Sequence, residues 1–108
     1  MDLMAQCQCG SLRAIASGEP DFIIACHCFD CQRRTGAIFG SGAYYGKPQV
    51  RVEGQSRLYT REGQEGRKVR YHFCPDCGTS VYWDLDRRPN HYGIAVGAFA
   101  DPSVLYRK

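Results

Sequence analysis

Lys68-Val69-Arg70-Tyr71-His72-Phe73 runs directly into Cys74-Pro75-Asp76-Cys77-Gly78. The first six residues alternate polar and apolar, with Val69, Tyr71 and Phe73 turned inward on one face. A period of two predicts a half-buried β-strand. The next five read as a knuckle, in which two thiolates separated by two residues grip one tetrahedral Zn²⁺ from a tight turn. Pro75 fixes the entry to that turn, and Gly78 supplies the positive φ that it needs. A strand that ends in a metal clip suits a small β domain whose own core is too modest to hold it.

The same period recurs outward from this stretch. Gln49-Val50-Arg51-Val52-Glu53 puts both valines on one face, and His91-Tyr92-Gly93-Ile94-Ala95-Val96-Gly97 puts Tyr92, Ile94 and Val96 on one side. Residues 11–16, 22–25, 38–45, 56–60 and 80–84 are further strand candidates. Turn signals separate them: Gly18-Glu19-Pro20, Gly46-Lys47-Pro48, Glu53-Gly54-Gln55, residues 63–66, and Pro89-Asn90. No segment carries an extended helical pattern, and one short helical turn within 29–34 is the most the sequence supports. Many short strands predict a mainly β fold, sandwich or barrel-like, with little or no helix. A length of 108 residues predicts one domain spanning 1–108.

Composition narrows the class. The chain is 44% hydrophobic and 23% charged, ordinary for a globular protein. Its longest apolar run, Phe22-Ile23-Ile24-Ala25-Cys26, is far short of the roughly 20 residues that cross a bilayer. Met1-Asp2-Leu3-Met4-Ala5-Gln6 has neither a basic nor an apolar signal region, so a cytoplasmic, reducing setting is expected. Seven cysteines is the abnormal number, and an odd one for a disulfide scaffold, so metal binding is the natural reading. Seven thiolates around two Zn²⁺ ions would also bring the formal charge of +3 to zero, which removes the basic balance as a nucleic-acid signal.

The cysteines form three clusters: Cys7 and Cys9, then Cys26, Cys28 and Cys31, then Cys74 and Cys77. A structural zinc takes four protein ligands; a catalytic one takes three and keeps a position open. Pairing the outer clusters gives a four-thiolate site from Cys7, Cys9, Cys74 and Cys77, and leaves Cys26, Cys28 and Cys31 as a three-ligand site. The alternative joins the middle cluster to the knuckle and leaves Cys7 and Cys9 with too few ligands. His27, His72 or His91 could close the middle site instead, although each reads more naturally as a strand-face or hydrogen-bonding residue.

Cys7-Gln8-Cys9-Gly10-Ser11 and Cys26-His27-Cys28-Phe29-Asp30-Cys31-Gln32-Arg33-Arg34-Thr35-Gly36 resemble the first two blocks of a known family. Phe73-Cys74-Pro75-Asp76-Cys77-Gly78-Thr79-Ser80 and Val96-Gly97-Ala98-Phe99-Ala100-Asp101-Pro102 are similar to its third and fourth. The family is that of glutathione-dependent formaldehyde-activating enzymes and centromere protein V-type domains. The resemblance implies a β-tent fold of several coiled sheets, a complex β sandwich, with two zinc ions per chain. It implies structural zinc on Cys7, Cys9, Cys74 and Cys77, and a reactive zinc on Cys26, Cys28 and Cys31. Relatives usually continue beyond the Asp-Pro element, whereas Ser103-Val104-Leu105-Tyr106-Arg107-Lys108 closes this sequence, so a wall of the substrate cleft is expected to be missing or rebuilt.

The implied activity is that of a carbon–sulfur lyase, adding glutathione or another small thiol to formaldehyde or a related electrophile. A peptide-like thiol with carboxylates calls for arginine forks, and Arg33 and Arg34 follow the three-cysteine site directly. Thr35-Gly36 reads as a tight turn that presents backbone N–H groups nearby. Of the adjacent Tyr44 and Tyr45, one must point away from the core and is a candidate wall of the cleft. Two rival readings remain. One is a non-catalytic two-zinc module that binds a protein partner. The other is nucleic-acid binding through Arg51, Arg57, Arg61, Arg67, Lys68 and Arg70, which Glu53, Glu62 and Glu65 interrupt.

Overall fold

The alternating segments assemble into two antiparallel sheets. A computed structural model describes residues 2–106. β1 (Asp2–Gln6), β2 (Arg13–Ser17) and β5 (Val50–Glu53) form a three-stranded sheet in that order. β3 (Phe22–Cys26), β4 (Gly40–Gly46), β9 (His91–Ala95), β8 (Ser80–Leu85), β7 (Lys68–Phe73) and β6 (Arg57–Glu62) form a six-stranded one, again in that order. One α-helix, α1 (Phe29–Thr35), connects β3 to β4. Single 3₁₀ turns occupy Lys47–Gln49, Gln64–Gly66, Val96–Phe99 and Pro102–Tyr106. The fold is mainly β, as the periodicity predicts.

The core joins one face of each sheet. Ala5, Ala14 and Ala16 from the small sheet cluster with Ala43, Tyr45, Tyr82 and Ile94 from the large one, and Val96, Phe99 and Val104 close the cluster. Small side chains on one sheet leave room for a fully buried Tyr45 on the other. The half-buried Val50 and Val52 pack at its margin.

The opposite face of the large sheet carries a row of direct cross-strand neighbours, Phe22, Tyr44, Gly93, Trp83, Tyr71 and Tyr59, one from each strand. Gly93 is the gap that the row needs. Trp83 lies flat across it, so that a Cβ at Gly93 would collide with the indole and one at Gly42 would come within 2.7 Å of the same ring. The indole N–H donates to the Tyr44 hydroxyl at 3.0 Å, and Phe22 stacks on Tyr44 with centroids 5.0 Å apart. This face is the floor of the cleft described below. Val69 and Tyr71 therefore line the cleft rather than the core, and Phe73 lines a neighbouring pocket with Tyr71; of the three only Tyr71 is buried.

Element boundaries differ from the sequence expectations in instructive ways. β1 carries no turn signal or β-branched pattern from which a strand is predicted; its pairing with β2, from Asp2 opposite Ser17 to Gln6 opposite Arg13, makes it one. The candidate at 11–16 begins instead at Arg13, because the preceding residues form the Cys7–Cys9 loop. That at 38–45 begins at Gly40, leaving Ile38 exposed. That at 91–97 ends at Ala95, where the chain winds into a turn. Gly54, at φ +92°, sits so close to the Ser11 carbonyl that a Cβ would collide with it. Gly54→Ala is expected to lower stability by about 2 kcal/mol, read as a shift of the urea midpoint at unchanged slope. Among the described residues no helix is long and apolar enough to cross a membrane.

Candidate metal centres

The first centre lies where the sheets meet. Cys7 and Cys9 follow β1, Cys74 and Cys77 occupy the turn between β7 and β8, and the four Sγ atoms lie within 4.8 Å of one another. Each loop is set by its own backbone: Cys7 N–H donates to Leu12 O at 3.0 Å, and Cys74 N–H to Thr79 O at 2.9 Å. Gly78 has φ +81°, closing the knuckle by donating its N–H to Cys74 O at 2.9 Å. A tetrahedron with metal–sulfur bonds near 2.3 Å has edges of about 3.8 Å. Cys9 Sγ is 3.6 Å from both Cys7 Sγ and Cys74 Sγ, spacings that suit such a cage. All seven cysteines are free thiols.

Amide N–H groups point at these sulfurs, as suits thiolates. Leu12 N–H donates to Cys7 Sγ at 3.2 Å and Asp76 N–H to Cys74 Sγ at 3.3 Å. Two hydroxyls join them, Ser11 at 3.3 Å from Cys9 Sγ and Thr79 at 3.3 Å from Cys77 Sγ. The Thr79 hydroxyl, then its backbone N–H, hold the Cys77 thiol down to about 5. Ser11 and Thr79 were not singled out from the sequence. Their signal was present: both follow a Cys-Gly pair, as Cys9-Gly10-Ser11 and Cys77-Gly78-Thr79.

The second centre is built on α1. Cys26 ends β3, Cys28 is the helix N-cap, Cys31 lies three residues on, and their Sγ atoms lie within 4.8 Å of one another. The N-cap position brings two of them together, because Cys31 N–H donates to Cys28 Sγ at 3.4 Å. That N–H lowers the Cys28 thiol, whereas burial, followed by its two cysteine neighbours, pushes Cys31 up to about 12. Three crowded thiols that cannot all ionise alone are a donor set for a cation, which would neutralise their shared charge. The clusters of four and three cysteines could each hold a metal ion.

None of the three histidines lies in either cluster. His27 packs against the Phe39 ring at 5.3 Å. His72 stacks on Tyr82 at 4.3 Å, with Ser56 Oγ 3.1 Å from its Nδ1. His91 meets Asp21 at 2.8 Å. Among the described residues no His, Asp or Glu joins Cys26, Cys28 and Cys31.

A cleft of about 390 Å³ opens from the three cysteines across the aromatic floor, walled by Ile24, Tyr44, Val69, Tyr71, Trp83 and Leu85. Arg34, Arg61, Arg87 and Arg88 line it as well. Tyr44 is thus the member of the tyrosine pair that faces the cleft. Arg34 inserts into this space, its guanidinium carbon 4.8 Å from the Trp83 ring and 4.9 Å from Tyr71. Arg33 stays exposed, 6.0 Å over Phe29. Thr35 ends the helix, its hydroxyl donating to Cys31 O at 2.8 Å and accepting from Ala37 N–H at 3.1 Å. The Thr35-Gly36 turn is the helix C-cap, and the Gly36 N–H goes to Gln32 O at 2.8 Å. Of the basic residues considered for nucleic acid, Arg51, Arg61, Arg67 and Arg70 are ion-paired, with Glu53, Asp30, Glu65 and the Asp84/Asp86 pair.

No curated protein matches the chain. Among solved structures, a crystal structure of a Rhodobacter sphaeroides protein is similar, with a TM-score of 0.65 and 24% identity, covering 89% of this chain and 86% of that one. That likeness supports the fold. The family described as glutathione-dependent formaldehyde-activating enzyme matches residues 2–107. This chain therefore belongs to the glutathione-dependent formaldehyde-activating enzyme family.

Proposed function

We propose that the chain, as a single zinc-binding domain, is a zinc-dependent carbon–sulfur lyase-like enzyme. It joins a small thiol, glutathione foremost, to formaldehyde or a related electrophile. In this reading Cys7, Cys9, Cys74 and Cys77 hold a structural zinc, and Cys26, Cys28 and Cys31 hold a second. The observation that carries it is the unequal donor count: four thiols in one cluster, three in the other, and the cluster of three opening on a cleft. When bound there, zinc supplies positive charge that keeps an incoming thiol in its nucleophilic thiolate form at neutral pH.

The rest falls to the chain's own side chains. The net reaction forms one S–C bond, opens the carbonyl π bond and moves the thiol proton to the new hydroxyl oxygen. Burial raises the Tyr44 pKa, so its phenol stays protonated at neutral pH. Its oxygen already accepts the Trp83 N–H at 3.0 Å, which leaves the phenolic proton to donate to an oxygen formed in the cleft. The aromatic floor shields the adduct from bulk water.

Exchange spectroscopy by NMR on mixtures of formaldehyde and glutathione tests this reading. Catalytic amounts of the zinc-loaded protein are expected to accelerate interconversion of free formaldehyde hydrate and the S-hydroxymethyl adduct at least tenfold over buffer, an effect that chelator removes. No acceleration with a fully metal-loaded sample would favour the structural module instead.

A further inference from the structure

Among the described residues the two sheets end in four outer strands, β1, β5, β3 and β6. An outer strand offers unpaired N–H and C=O groups along its free edge, and charged side chains are a common guard against a second strand adding there. β1 carries Asp2, β5 carries Arg51 and Glu53, and β6 carries Arg57, Arg61 and Glu62. β3 reads Phe22-Ile23-Ile24-Ala25-Cys26 and carries no charge. Its inner edge pairs with β4, from Phe22 opposite Tyr44 to Cys26 opposite Gly40, while Ile24 and Ala25 are exposed.

Apolar exposure gathers at the same place. Of the seven large apolar side chains exposed among the described residues, Ile24, Phe29, Ile38 and Phe39 all belong to the segment from β3 through α1 to β4. The helix turns away from the free edge: Asp30 reaches Arg61 on β6, and Arg34 lies against Trp83 and Tyr71.

A second copy of β3 fits this edge. Two identical antiparallel strands related by a twofold axis place one residue opposite itself. With Ile24 on the axis all five residues pair, Phe22 against Cys26 and Ile23 against Ala25, so that large side chains meet small ones beside the central isoleucines. One step further, the exposed Asp21 comes opposite the exposed His27 at both ends, a carboxylate against an imidazole donor. β6 also exposes Leu58 and Tyr59, but it does not match itself in this way. Pairing two copies about Tyr59 would set Arg57 opposite Arg61, and pairing about Thr60 would set Leu58 opposite Glu62.

We propose that the chain forms a twofold dimer through β3, joining the two large sheets into one continuous sheet. Phe22, Ile24 and Cys26 share the cleft face of the strand, and Ile24 and Cys26 line the cleft. Phe22 of the partner subunit would therefore stand next to Cys26, at the rim of the three-cysteine centre, and each copy would extend the aromatic floor of the other. The dimer does not depend on what that centre catalyses.

Sedimentation velocity on the zinc-loaded chain tests this, from about 5 µM to about 1 mM, with a reductant that prevents disulfide cross-links. So short a strand on each side makes a small, reversible interface, and a Kd of about 10–100 µM is expected. Ile24→Lys and Ile24→Glu, which put like charges opposite each other on the axis, are each expected to weaken association about tenfold or more with metal content unchanged. An equimolar mixture of the two should recover association close to wild type, because lysine then faces glutamate. Where an Ile24 variant fails to fold, Ala25→Lys decides: exposed on the other face of the strand, it is expected to weaken association about tenfold or more. The proposal is overturned by a wild-type chain that stays single at the highest concentration, or by an Ile24→Lys variant that still dimerises. A mixture that does not recover, or an Ala25→Lys variant as tight as wild type, overturns it equally.

Discussion

Cys74→Ser is expected to leave a chain with no cooperative unfolding transition at 25 °C, whether or not zinc is added. Cys74 is fully buried between the sheets, its Sγ 3.6 Å from Cys9 Sγ and 3.2 Å from Ser11 Oγ, and it accepts the Asp76 N–H. A metal held by Cys7, Cys9, Cys74 and Cys77 would tie the β1–β2 loop of the small sheet to the β7–β8 turn of the large one. Structural zinc contributes apparent binding energies of about 10–16 kcal/mol in small peptides, comparable with the whole 5–15 kcal/mol stability of a domain. The alanine-rich face of the small sheet cannot replace that. Far- and near-UV circular dichroism against urea checks the outcome; a sharp transition with a midpoint close to wild type would show that the sheets hold each other without the clip.

Cys28→Ser is expected to do the opposite: keep the fold, lose one of two metals, and cut the protein-dependent acceleration about a thousandfold, leaving adduct formation at its rate in buffer. Cys28 is exposed and caps a seven-residue helix in which no residue is buried. Serine is itself a favourable N-cap, so its hydroxyl can take over the Cys31 N–H. What serine does not replace is the third sulfur. Losing a metal that supplies several kcal/mol of charge stabilisation corresponds to two to four powers of ten in rate. Metal content measured beside the NMR exchange rate separates the effects. A variant with one metal, a native spectrum and an undiminished rate would move the chemistry away from Cys26, Cys28 and Cys31.

Much of this was legible in the residues, for reasons that can be named. β7 and β9 announce themselves by period two. The knuckle announces itself by spacing; ligand arithmetic favours sorting the seven thiols into four and three, the family resemblance implies the same division, and the structure gathers these two groups. β1 was not legible, because Asp2-Leu3-Met4-Ala5-Gln6 buries only Ala5 and leaves Met4 exposed. The length of α1 was not legible either, since a helix with no buried residue has no apolar stripe to read. Most elusive was the arginine wall. Arg61 looks like any strand-face cation until Asp30, Tyr71 and Arg34 are brought around it, and that depends on how β6 closes against the helix. Trp83 likewise gains its meaning from Gly93, which lies opposite it on the neighbouring strand.

Anomalous scattering at the zinc edge, from crystals of the purified protein soaked with glutathione, addresses the central claim most directly. Two peaks per chain are expected. One should be enclosed by Cys7, Cys9, Cys74 and Cys77, the other held by Cys26, Cys28 and Cys31 with the glutathione sulfur as the fourth neighbour. Cystine bridges among these residues, or a second ion closed by a fourth protein atom, would contradict the account.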